Sequence, residues 1–315
     1  MLSVLFDLLF VGVPGCFKQD AQHVAWDVIK EVRGWLTQAS PSLRTLVTVD
    51  YGHATNGGVL DIIDIMVPLI NDLWPKELDN GTRMCHPQSV GVAGIPPMNL
   101  TRSKDLRSNY DSVPTVWTYL SCMSYGCGAD NSCAQLMKHS SGPCSVHWPS
   151  YAIDHANEAA AGVSNRVMEW ASYIERVSGE LYFTTSNFDS DGAGWAEAKF
   201  YGANGDEYLY YPGRSAANAS FSIGGHTDIP IESARLKHVR DGFEDHEWLT
   251  VLETHRGREF VLRLISPFIT NAWTFADNAT ALLSARAAVG AAIETALAPP
   301  SVPLMSDDDG DDVYA

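Results

Sequence analysis

The stretch RLKHVRDGFEDHEWL, residues 235–249, crowds Arg235, Arg240, Asp241, Glu244, Asp245 and Glu247 into about four helical turns. Leu236, Val239, Phe243 and Leu249 recur between them at helical spacing, which predicts an amphipathic helix. Read by periodicity alone, this is a solvated helix laced with i,i+3 and i,i+4 ion pairs, each contributing about 0.2–0.5 kcal/mol. Asp241 and Glu244 could be taken as a catalytic carboxylate pair, but ion-pair networks on helices produce the same pattern.

Working outward, the flanks alternate between two periods. Residues 20–37 read as a helix, with Val24, Val28, Val32 and Trp35/Leu36 on one face and Ser40-Pro41 after it. RTLVTVD (44–50) and LDIIDIMVPLI (60–70) read as buried strands, separated by a Gly-rich turn at Gly57-Gly58. Residues 72–113 are loop-like. VPTVWTYLS (113–121) is a third strand, and the Cys-rich segment 122–150 is an excursion from the core. VSNRVMEWASYIERV (163–177) is a helix with Val163, Val167, Trp170, Ile174 and Val177 on one side, and GELYFTTSNF (179–188) is a fourth strand. GDEYLYYPG (205–213) reads as an edge hairpin. Beyond the opening stretch lie a short helix at 257–265, stopped by Pro267, and an Ala-rich helix at 277–297 with an Asp/Asn N-cap. Strands alternating with helices or excursions predict an α/β fold on a parallel sheet. Residues 1–19 are unplaced, and the acidic segment 299–315 is expected to be disordered.

In this setting the 235–249 stretch resembles the signature of the glycoside hydrolase family 123 catalytic domain, R-x-x-x-x-R-D-G-x-E-D-x-E. Other segments resemble that family in the same order: VWTYLSC (116–122), Ile153-Asp154 ahead of a helix with Arg166 and Trp170, GELYFTTSNF, EYLYYPG, Gly257-Arg258-Glu259, Trp273 and Leu282–Arg286. The resemblance spans residues 20–298. It implies a (β/α)8 TIM-barrel fold, of which this chain carries the last four strands and the C-terminal helices.

Active sites of such barrels lie on loops at the C-terminal ends of the strands. The resemblance therefore implies Tyr119, Tyr182, Asn187, Trp195 and His86 as substrate-binding residues, with aromatic faces stacking on a pyranose and Asn hydrogen-bonding hydroxyl or acetamido groups. A Tyr or Trp at a strand end also serves as rim packing. Arg235, Arg240, Asp241, Glu244 and Asp245 are implied as the structural signature. The reaction implied is hydrolysis of terminal β-N-acetylgalactosaminides with no cofactor, in which the substrate's acetamido group attacks the anomeric carbon. The family's adjacent Asp-Glu pair should stand just before the helix at 20–37. LFDLLFVGVPG stands there instead, with Leu5-Phe6-Asp7 and Pro14-Gly15 resembling its flanks. The catalytic residues are therefore unassigned. The expectation is a truncated or mis-spliced reading of a longer gene, inactive alone, whose partners are a glycan and the missing half of the barrel. The alternatives are a non-catalytic carbohydrate-binding or degenerate homologue, and a structural secreted domain.

The net charge of -17 over 315 residues argues against nucleic-acid and anionic-membrane partners, both of which need basic surface. Cys122, Cys127, Cys133 and Cys144 are spaced poorly for zinc, so metal is not expected; with Cys16 and Cys85 they are disulfides in a secreted protein or free thiols in the cytosol. Sequons at Asn80, Asn99, Asn218 and Asn278 favour the secretory route. The apolar N-terminal run lacks a basic region and is interrupted by Asp7, and no other stretch reads as long and apolar enough to cross a bilayer.

Overall fold

The computed structural model describes residues 26–73, 107–119, 149, 161–182, 185, 199–200, 203–205, 208–212, 214–215, 218–222, 230–272 and 274–298. Among them the chain is mixed α/β, with long helices and short strands. Strand β1 (Leu46–Val47) runs parallel to β2 (Ile65–Met66), with Val47 opposite Met66. Parallel bridges Met66–Val116 and Leu69–Tyr119 join this pair to the segment carrying β3 (Thr118–Tyr119). Strand β3 runs parallel to β4 (Glu180–Leu181), with Thr118 opposite Glu180 and Tyr119 opposite Leu181. Four short parallel strands thus stand side by side in chain order. A closed barrel is not seen among the described residues.

The first two strands are shorter than their apolar runs because polar residues and proline interrupt them. In the 60–70 run, Leu60–Ile62 is a 3-10 turn and only Ile65–Met66 forms a ladder. Asp64 turns its carboxylate back to Thr45 N (2.7 Å) and Arg33 Nη1 (2.9 Å). Pro68 has no N–H to donate and only accepts, from Tyr119 N at 3.0 Å.

Helix α1 (Trp26–Ala39) precedes the sheet. Helix α2 (Tyr51–Gly57) occupies the segment where the sequence predicts only a turn. Asp50 caps it, accepting from His53 N at 3.0 Å, and Gly58 ends it at φ 60°, the left-handed conformation that glycine adopts without strain. Helix α3 (Ala161–Ile174) lies between two cores. Met168 and Ala171 join the sheet's Val47, Val49, Met66 and Val116. Val163, Val167, Trp170 and Tyr173 join α4 (Ala234–Arg256), α5 (Arg258–Ile265) and α6 (Ala279–Leu297) through Leu249, Leu252, Val261, Ile265, Leu282 and Val289. Trp170 meets Phe268 edge-on at 5.2 Å.

Several short antiparallel strands fill the stretch before α4: β5 (Lys199–Phe200) with β6 (Ala203–Asn204), and β8 (Arg214–Ser215) with β9 (Asn218–Ser222). The predicted hairpin at 205–213 pairs otherwise. Its strand β7 (Tyr210–Pro212) takes β10 (Pro230–Glu232), the segment leading into α4, as antiparallel partner. Strands β11 (Ile269–Asn271) and β12 (Thr274–Phe275) form the turn between α5 and α6. Asn278 caps α6, its Oδ1 accepting from Ala281 N at 2.8 Å. By length and composition α6 could cross a membrane, contrary to the sequence reading. Here its Leu282 and Val289 are buried in the second core.

Gly242 sets the crossing of α3 and α4. A Cβ there would stand 2.7 Å from the Arg166 carbonyl oxygen and 2.8 Å from Glu169 Cγ. Gly242→Ala gains about 1 kcal/mol of helix propensity. The clash with backbone costs about 1–3 kcal/mol or more, because a packed helix pair must separate. The expected result is a net loss of stability in chemical denaturation. A stabilised variant would show that the helices do not approach this closely.

Candidate functional site

Helix α4 begins where the sequence places it, on a Ser233 cap that accepts from Leu236 N at 3.2 Å. Its charges divide into two sets. Arg240 and Glu244 are exposed, and Arg240 donates to Asp241 Oδ1 at 2.7 Å. Burial alone would raise the Asp241 pKa, but the Arg240 hydrogen bond and the Arg166 and Arg240 charges hold it below the usual carboxylate range. These residues fit the solvated-helix reading.

Arg235 and Asp245 do not. Asp245 is 1% exposed and receives four hydrogen bonds. Arg166 Nε and Nη2 donate to its two oxygens at 2.6 and 2.8 Å, Trp170 Nε1 donates at 3.0 Å, and Arg286 Nε donates at 2.7 Å. The Arg286 guanidinium also lies 4.0 Å over the Trp248 ring. Helices α3, α4 and α6 thus converge on one carboxylate. The hydrogen bond to Asp245 is the main cause raising the Arg166 pKa. Arg235, also buried, donates to the Tyr208 carbonyl and to Tyr211 Oη (3.1 Å). Gly205, at φ 83°, lies against its guanidinium, where a Cβ would come within 2.5 Å.

At the sheet's C-terminal edge, the sequence candidates fall apart. Val47 and Val49 join the first core, so alternation turns Thr48 and Asp50 to the other face. Tyr119 shares that other face, since it registers with Leu69 and Leu181 and not with Met66 and Val116. Tyr182, one residue beyond β4, packs against the first core, on the face beneath the helices. The two tyrosines are therefore on opposite sides. Asn187, Trp195 and His86 lie outside the described residues, as do Asp154, Trp273 and all six cysteines. The sequence holds an adjacent Asp-Glu at Asp206-Glu207, far after α1 and also outside the described residues.

Two constellations escaped the sequence reading. Asp50 places one carboxylate oxygen on His53 N and the other on His53 Nδ1, at the C-terminal end of the first strand run. Its signal was an acidic residue closing an apolar strand, followed three residues later by His. The second is a carboxyl pair between α3 and the start of β4. Glu169, 2% exposed, faces Glu180, and Ser172 Oγ donates to Glu180 Oε1 at 2.6 Å. Burial first, then the Glu180 charge, pushes Glu169 up to about 10, so the pair keeps a proton at neutral pH.

No protein-family model matches this chain, and no curated protein matches it.

Proposed function

We propose that this chain is a carbohydrate-binding α/β domain of the glycoside hydrolase family 123 type, built on the last four strands of a (β/α)8 architecture, with its sugar site at the C-terminal edge of the parallel strands. One observation carries the reading. The residues that resemble the family come from separate segments, and they meet: Arg166, Trp170 and Arg286 on Asp245, and Arg235 on Tyr208 and Tyr211. Spatial convergence of this kind is what a shared scaffold requires. The parallel strands standing in chain order support it, because that arrangement gathers strand ends on one edge, where α/β folds bind ligands.

The ligand is a terminal β-N-acetylgalactosaminide or a related hexosamine, a neutral molecule compatible with the acidic chain. No Asp-Glu stands before α1, so the chain by itself binds without hydrolysing. The test is calorimetric titration with methyl β-N-acetylgalactosaminide beside an aryl-glycoside hydrolysis assay. Saturable binding with no release of the aryl group is expected. Turnover by this chain would overturn the non-catalytic reading, and absence of hexosamine binding would overturn the carbohydrate reading itself.

A further inference from the structure

We propose that Asn278, the residue that caps helix α6, carries an N-linked glycan. The proposal is independent of the carbohydrate reading above: there the chain binds a sugar, here it bears one. Asn278-Ala279-Thr280 is one of the chain's four sequons, and all three of its residues are exposed. Asn80 and Asn99 lie outside the described residues, and Asn218 stands in the ladder of β8 with β9.

The cap fixes the amide. The Ala281 N–H donates to the Asn278 side chain at 2.8 Å, so the atom turned to the helix is Oδ1, because the amide nitrogen has only hydrogens to offer. Nδ2 is the other branch of the same planar group, and among the described residues it enters no hydrogen bond. The backbone reaches this point extended, at φ -153° and ψ 144°, and turns helical at Ala279. Capping and glycosylation therefore use different atoms. In the transfer, Nδ2 attacks the anomeric carbon of a polyprenyl-diphosphate oligosaccharide. The carbon–nitrogen bond forms, the carbon–oxygen bond to the diphosphate breaks, and the lipid diphosphate leaves with that bonding pair. Nδ2 gives up one of its two protons to a base of the transferase. The product is still an amide, and its Oδ1 still accepts from Ala281 N–H. The exposed run Asp277–Thr280 leaves the glycan room in solvent. A cap alone accounts for Asn278, since Asp or Ser would serve as well. It does not account for Thr280, a weaker helix former than the alanines beside it, whose hydroxyl enters no hydrogen bond among the described residues. A hydroxyl two residues after the asparagine is what the sequon requires.

The test is release of N-glycans from the native protein by a glycan amidase in heavy-oxygen water, followed by peptide mass spectrometry. Glycosylated Asn278 should return as aspartate carrying one heavy oxygen. A peptide in which Asn278 is still asparagine overturns the proposal, whichever other sequons are labelled. Variants of the full chain expressed through a eukaryotic secretory pathway give a second readout. Thr280→Ala and Asn278→Asp should each lose the mass of one glycan, and Thr280→Ser should keep it. Both glycan-free variants retain a good N-cap, so their Tm should stay close to that of the deglycosylated parent. Equal masses for the parent and Thr280→Ala would also overturn the assignment.

Discussion

Asp245→Ala is expected to cost about 3–5 kcal/mol of folding stability, the range for removing one partner from a buried ion cluster. The carboxylate is 1% exposed and is the shared acceptor of two guanidiniums and an indole. Removing it leaves the Trp170 N–H and the half-buried Arg166 without their acceptor and opens a gap where three helices meet. Because a domain of this kind has a total stability of about 5–15 kcal/mol, the variant should lose about a fifth of it or more. The loss should appear as a lower denaturation midpoint with an unchanged slope. Arg286→Met should cost much less, since its side chain is 30% exposed and its methylene stem can still cover Trp248. Arg166→Met lies between. A double-mutant cycle of Arg166 and Asp245 should show strong coupling. If Asp245→Ala costs under about 1 kcal/mol, the carboxylate does not join the helices, and the observation on which the functional reading rests is lost.

Much of the helical layer was legible from sequence because it follows local rules. The 3.6-residue period located α3 and α4, and the Asn278 cap located the start of α6. What the period could not say is which charges on α4 are buried. Asp245 and Glu244 are neighbours of the same type, yet one is at the centre of the helix layer and the other is exposed. The difference comes from Arg166 and Arg286, 79 and 41 residues away in sequence, and only tertiary packing brings them in. Helix α2 was missed for the opposite reason. YGHATNG has no apolar stripe, and its helix is set by one carboxylate at Asp50. The first two strands are placed correctly but overestimated in length, because an apolar run does not reveal where Asp64 or Pro68 will stop a ladder. For the candidate site the limit was facing. Tyr119 and Tyr182 both end strands, but register sends Tyr119 to one face and packing holds Tyr182 on the other.

Glu169→Gln is expected to make the protein more stable at alkaline pH and leave it nearly unchanged near pH 5. In the folded state Glu169 is buried beside Glu180, and both conditions penalise its charged form. Its folded pKa is raised from the ordinary 4.5, so the folded chain keeps a proton that the unfolded chain releases. Stability is therefore fully present below the unfolded value and declines as pH rises toward the folded one, by at most about 1.4 kcal/mol per pH unit. Other groups move stability elsewhere. Burial lowers the His246 pKa, so that residue adds stability as pH rises only up to its unfolded value of 6.5. Asp241, held below 3.8, has given its full contribution well before pH 6. Tyr173, raised first by burial and then by its hydrogen bond to Glu253, changes nothing until the unfolded tyrosine ionises near 10. Between about pH 7 and 9 the carboxyl pair dominates among these groups. There the native chain should lose on the order of 1–3 kcal/mol. Glu169→Gln should be nearly flat, since its amide N–H can donate to Glu180 as the protonated acid does and carries no proton to lose. Urea midpoints measured at intervals across this window would decide it. Equal slopes in the two proteins would mean that Glu169 ionises without cost, and that the α3–β4 contact is open to water.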